Sequence, residues 1–80
     1  MDKLIKFLTK HYISKEPIYI GFQIANCIIH TQHKITDLII DDCCINITSG
    51  ENDIFIPAAT DVIYTGEEYI INNQLFISSY

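Results

Sequence analysis

Isoleucine occupies 18 of the 80 positions and valine only one, an imbalance that constrains the fold more than any other feature. A β-branched side chain loses little freedom when the backbone is extended, and it packs well on a pleated surface. A helical chain that is 49% hydrophobic would be expected to draw on leucine and alanine, yet leucine appears at four positions and alanine at three. The bias predicts a strand-rich domain. At this length ~60% of the unfolded surface can be buried, so residues 1–80 are expected to form one domain with a thin margin of stability, prone to association.

The first segment departs from the extended pattern. Asp2 suits an N-cap. Leu4, Ile5, Leu8 and Tyr12 recur at helical spacing, Phe7 widens the stripe, and Lys3, Lys6 and Lys10 fall opposite. Pro17 ends the pattern, because the residue before a proline is biased away from helix. The spacing predicts a helix over about 2–14.

From about residue 17 to 78 the chain reads as short strands. Ile18, Ile20, Phe22 and Ile24 alternate onto one inward face, and residues 25–30 continue that strand or bend out of it. Thr31 to Lys34 form a polar connection, residues 36–40 a second strand, and Asp41-Asp42 a turn. Cys43, Ile45 and Ile47 then point inward. Ser49 to Asn52 supply a hairpin loop, and Ile54 and Ile56 return to an end or edge at Pro57. Residues 61–65, 68–71 and 75–78 are three further runs. The expected fold class is α+β and mostly β: one N-terminal helix packed on a bent antiparallel sheet or small barrel of five to six short strands. This order of elements, with the apolar rhythm of Ile45, Ile47, Ile54, Ile56, Ala59 and Val62, resembles an SH3-like or Sm-like small barrel over about half the chain, without a specific motif. Tyr19, Ile29, Ile39, Phe55, Ile71 and Phe76 fall on the opposite parity, where an open sheet should be polar. They are expected to be covered by other elements or to form an interface, with Ile39, Phe55 and Phe76 as the candidate contacts of a homodimer or higher oligomer.

Charge is divided along the chain. Residues 1–34 hold all five lysines and sum to +3, whereas residues 35–80 hold eight carboxylates, no cation, and sum to −8. Such a field repels nucleic-acid phosphates and anionic membrane and attracts basic surfaces. The Sm-like resemblance is therefore carried over as architecture and not as RNA binding, which needs basic groups around a groove. The predicted partner is a basic protein, with Asp41, Asp42, Glu51, Asp53, Asp61, Glu67 and Glu68 as contacts and Tyr64 and Tyr69 as anchors. If that partner binds nucleic acid, the carboxylates stand in for phosphates and the chain acts as an inhibitor, as small phage proteins such as anti-CRISPRs do. The residue usage, rich in Ile, Asn, Lys, Tyr and Phe and without Arg, fits an A/T-rich genome such as that of a bacterium, phage or virus. The alternative is a structural homo-oligomeric small barrel in which the acids serve solubility.

The cysteine and histidine letters bear on chemistry. Cys27, His30 and His33 lie at three-residue steps and Cys43-Cys44 follow, a spacing that invites a zinc reading. Consecutive cysteines on a strand point to opposite faces, and small buried thiols with loop histidines account for the same letters, so no cofactor or metal is expected. The thiols have no accompanying catalytic signature, the adjacent acids sit in turn-like contexts, and Gly21, Gly50 and Gly66 are isolated. The chain does not read as an enzyme. An odd cysteine count, the absence of an export-signal pattern and the lack of any long apolar run predict a reducing, cytoplasmic location away from membranes.

Overall fold

A computed structural model of the chain describes residues 2–42, 44–57 and 61–79. Helix α1 spans Asp2–Ser14. Eight strands follow: β1 Ile18–Ile24, β2 Cys27–His33, β3 Asp37–Ile40, β4 Cys44–Ser49, β5 Asn52–Pro57, β6 Val62–Tyr64, β7 Glu68–Ile71 and β8 Leu75–Ser78. All their pairings are antiparallel. One sheet has the order β2-β1-β8-β7-β6 and the other β3-β4-β5. The fold is α+β and mostly β, and its two sheets do not close into a barrel.

The helix forms as the lysine pattern predicts. Leu4, Leu8 and His11 share the buried stripe, and Lys3, Lys6 and Lys10 face solvent. It stops at Lys15, which takes the left-handed φ of 62° common just beyond a helix C-terminus. Tyr12, read as part of the stripe, lies at its rim with 36% of its surface exposed; His11 takes the inward position and lies against the Phe7 ring at a centroid distance of 4.4 Å.

Directly paired residues in an antiparallel ladder share a face, so the registers define the layers. On the inner face of the five-stranded sheet, Ile20, Ile77 and Tyr69 form one row and Phe22, Leu75, Ile71 and Val62 the next. On the smaller sheet Ile45 and Ile56 pair, as do Leu38, Ile47 and Ile54. These two faces and the Leu4/Leu8 stripe enclose a single core, with Ile18 and Ile35 also buried in it. Ile35 lies in the connection by which the chain leaves the large sheet for the small one.

Three sequence expectations change. Among the described residues there are eight strands where five or six were expected, one of them added by a two-residue turn at Ala25-Asn26 that makes a hairpin of residues 18–33, with Ala25 at φ 53°. Thr31 to His33, read as a connection, therefore belong to β2, an edge strand whose polar side chains need no core. Ile71 is core at 3% exposure and Ile29 shares its sheet face, whereas Tyr19, Ile39, Phe55 and Phe76 do lie on outer faces. The run Tyr69-Ile70-Ile71 carries no alternation, so only the register set by the Asn72–Gln74 turn decides which residue faces in. Cys43 and Ala59 lie outside the described residues.

Truncating Leu8, which is fully buried, should cost about 2–5 kcal/mol as Leu8→Ala, against about 0.5 kcal/mol or less for Ile13→Ala, whose side chain is 74% exposed. Urea denaturation followed by circular dichroism measures both.

Candidate interaction surface

The outer face of the three-stranded sheet carries two transverse rows beside the Cys44–Pro57 pair. Ile39, Asn46 and Phe55 pair across β3, β4 and β5, and Asp37, Thr48 and Asp53 form the row beside them. Ile39 is 51% exposed and Phe55 62%. Thr48 donates its hydroxyl hydrogen to Asp53 Oδ1 at 3.0 Å, which fixes that carboxylate beside the apolar row. Glu51 lies in the β4–β5 turn at the same end. Between the two apolar side chains, Asn46 Oδ1 is buried and accepts no hydrogen bond. An unsatisfied buried acceptor of this kind costs about 1–3 kcal/mol.

Phe55 also borders a groove of about 490 Å³, shared with Ile54, Asp53, Leu75 and the far end of β1 at Phe22 and Ile24. Phe22 and Ile24 face the core side as predicted, yet they are 38% and 57% exposed. β1 pairs with β8 only from Tyr19 to Phe22, so the end of the β1–β2 hairpin extends beyond that neighbour. Apolar surface thus continues from the small sheet across to this hairpin.

The predicted acidic contacts are distributed among turns. Asp41 caps the β3–β4 turn, its Oδ1 accepting the Cys44 amide at 2.9 Å, with Asp42 next to it. Glu51 and Asp53 lie at the opposite end of that sheet. Asp61 precedes β6, its amide donating to Asn72 Oδ1 at 3.1 Å, while Glu67 lies in the turn at the other end of the β6–β7 hairpin and Glu68 is the first residue of β7. Thr65 Oγ1 organises that turn by accepting the Glu68 amide at 3.2 Å. Glu67 shares a groove with Lys10 and Glu16. The fold places Asp53 and Glu51 at the same end of the small sheet as Asp37, which the sequence reading did not single out, and at the opposite end from Asp41 and Asp42.

The two tyrosine anchors differ. Tyr64 is 47% exposed beneath the Lys3 ammonium, 5.6 Å from the ring centroid. Tyr69 is a core residue at 8% exposure, stacked between Tyr64 and Phe7, and it donates its hydroxyl hydrogen to the Lys3 carbonyl at 3.2 Å. It is therefore a tie between helix and sheet and not a surface contact. Burial, and secondarily the neighbouring Tyr64 hydroxyl, raise its pKa above the ordinary value of 10.0.

The predicted oligomer contacts lie on two sheets: Ile39 and Phe55 share the row just described, and Phe76 lies on the outer face of the other sheet beside Ile70. The cysteine–histidine series also divides. Cys27 and His33 share a face of β2, six residues apart, while His30 points to the other face and lies over Gly21, where an added Cβ would approach its ring to 3.0 Å. His33 Nε2 is 2.6 Å from Thr31 Oγ1. Among the described residues no group of three or more His, Cys, Asp or Glu is arranged to hold a metal ion, and no helix is long and apolar enough to cross a membrane. Comparison with known proteins finds no matching family model and no significant match to a curated protein or a solved structure.

Two measurements follow. Asn46→Val, which removes the orphan acceptor and adds a β-branched neighbour to Ile39 and Phe55, should stabilise the chain by about 1 kcal/mol in urea denaturation. Because the folded state holds the Tyr69 proton more tightly than the unfolded chain, the stability due to this group is complete below pH 10.0 and is lost as pH rises through the raised folded value. Tyr69→Phe should lower neutral-pH stability by about 1 kcal/mol and flatten the alkaline decline, read as melting temperature against pH.

Proposed function

We propose that this chain is a non-enzymatic protein-interaction module whose small sheet engages a basic partner. The carrying observation is the outer row Ile39–Asn46–Phe55, with two half-exposed apolar side chains beside the carboxylates of Asp37 and Asp53. Apolar residues at the centre of a contact supply the affinity, and carboxylates at its border steer a cationic partner and exclude acidic ones. Asn46 adds to this reading. Its polar side chain, with an acceptor that makes no hydrogen bond, stands in a central strand between two apolar residues, a local departure of the kind found at functional sites.

The proposed contacts are Ile39, Phe55, Asp37, Asp53 and Glu51, extended by Phe22 and Ile24 through the shared groove. Residues 35–80 contain no lysine or arginine, so no cation from that stretch competes with the partner. A nucleic-acid-binding protein presents a suitable basic surface, and occupying it would make the chain an inhibitor of phage or mobile-element type. The exposed thiol of Cys27 fits a reducing, cytoplasmic setting.

Titration with fluorescently labelled amphipathic lysine-rich peptides tests the reading. Binding should be strong at about 50 mM salt and weak at about 500 mM. Phe55→Ala should reduce affinity about tenfold or more without lowering the melting temperature. Affinity indifferent to both salt and Phe55 would overturn the proposal.

A further inference from the structure

The free edges of the two sheets are unequal. The larger sheet ends in β2 and β6, and the smaller in β3 and β5. β6 is three residues long and follows Asp61; β3 begins at Asp37 and is followed by Asp41 and Asp42; β5 contains Asp53 and ends at Pro57. Shortness, charge of one sign and proline each oppose pairing between two copies of an acidic chain. β2 has none of these features within its span, and the charge that follows it, Lys34, is a single cation rather than a carboxylate. It is seven residues long, Cys-Ile-Ile-His-Thr-Gln-His, with no Asp, Glu, Lys, Arg, Pro or Gly. Its ladder with β1 runs unbroken from Ile18 opposite His33 to Ile24 opposite Cys27, so no bulge twists the edge away. Ile28 and Ile29 point to opposite faces and are each 48% exposed, which leaves the strand open on both sides.

We propose that β2 is a self-association edge, at which two copies pair β2 to β2 about a two-fold axis and merge their five-stranded sheets into one. An antiparallel strand edge is self-complementary under that symmetry, since each outward N–H and C=O meets its counterpart in reversed order. Charge selects a second copy as the occupant. The chain carries a net −5, and the uncharged β2 is the long edge along which two copies approach without opposed carboxylates. A charged foreign strand would find no counter-charge there. In a pair centred on His30, Ile28 lies opposite the partner's Gln32 and Ile29 opposite the partner's Thr31, so the two isoleucines are covered on opposite faces of the joined sheet.

Sedimentation equilibrium of the full chain over a range of concentrations tests this. A dimer is expected, and Ile28→Lys should weaken it about tenfold or more, while Ile63→Lys, equally exposed but on β6, should leave it unchanged. Circular dichroism melts verify that both variants fold. Amide hydrogen exchange in the unmodified chain supplies a reading free of mutation: residues 27–33 should gain protection as concentration rises. A monomer at ~1 mM, a dimer indifferent to Ile28→Lys, or amides in β2 that exchange independently of concentration would each overturn the proposal.

Discussion

The structure depends on the burial of the Leu4/Leu8 stripe against isoleucines from two separate sheets. Three strands cannot enclose an apolar layer by themselves, and the five-stranded sheet has one face to cover as well. The helix joins them: Leu4, Leu8, Ile47, Ile56, Ile20 and Ile77 belong to one cluster, and several have no exposed surface at all. In a chain of 80 residues the margin of stability is thin, so this shared core is the contact the fold can least spare. The Tyr69 hydroxyl reinforces it by tying the sheet to the first turn of the helix.

That arrangement determines what is left outside. A core enclosed from three directions leaves the outer faces of both sheets uncovered, and the isoleucine-rich composition leaves apolar side chains there as well as within. Ile39 and Phe55 on one sheet, and Ile63 with the half-buried Ile70 and Phe76 on the other, are the result. The same economy explains the β1–β2 hairpin. Its first residues, Ile18 and Ile20, are core, and its far end lies beyond the neighbouring strand.

Much of this was legible in the residues. Helix bounds, strand richness and the inward sets Ile18/Ile20 and Ile45/Ile47 follow from periodicity, because helical and extended spacing are distinct wherever polar and apolar residues alternate. Legibility fails where alternation does. In Tyr69-Ile70-Ile71 and Cys27-Ile28-Ile29 the facing direction is set by a distant register and not by local pattern. The turn at Ala25-Asn26 lacks glycine, so the split between β1 and β2 carries no strong local sign. The dispersal of the acids has a simpler origin. Successive turns of an antiparallel meander fall at alternate ends, so carboxylates placed in consecutive turns, as Asp41-Asp42 and Glu51 are, must separate. Asp37 and Asp53 fall in one transverse row because they lie on the strands flanking β4, each opposite Thr48.

The pairing of β1 with β8 has a consequence for the order in which the molecule assembles. Tyr19 lies opposite Ser78, so the middle of the large sheet is closed by segments from the two ends of the described chain. During synthesis β1 has only β2 beside it until residues 75–78 have been made, and its other edge waits open until then. Long-range closure of this kind slows folding and prolongs the exposure of unpaired strand to neighbouring nascent chains.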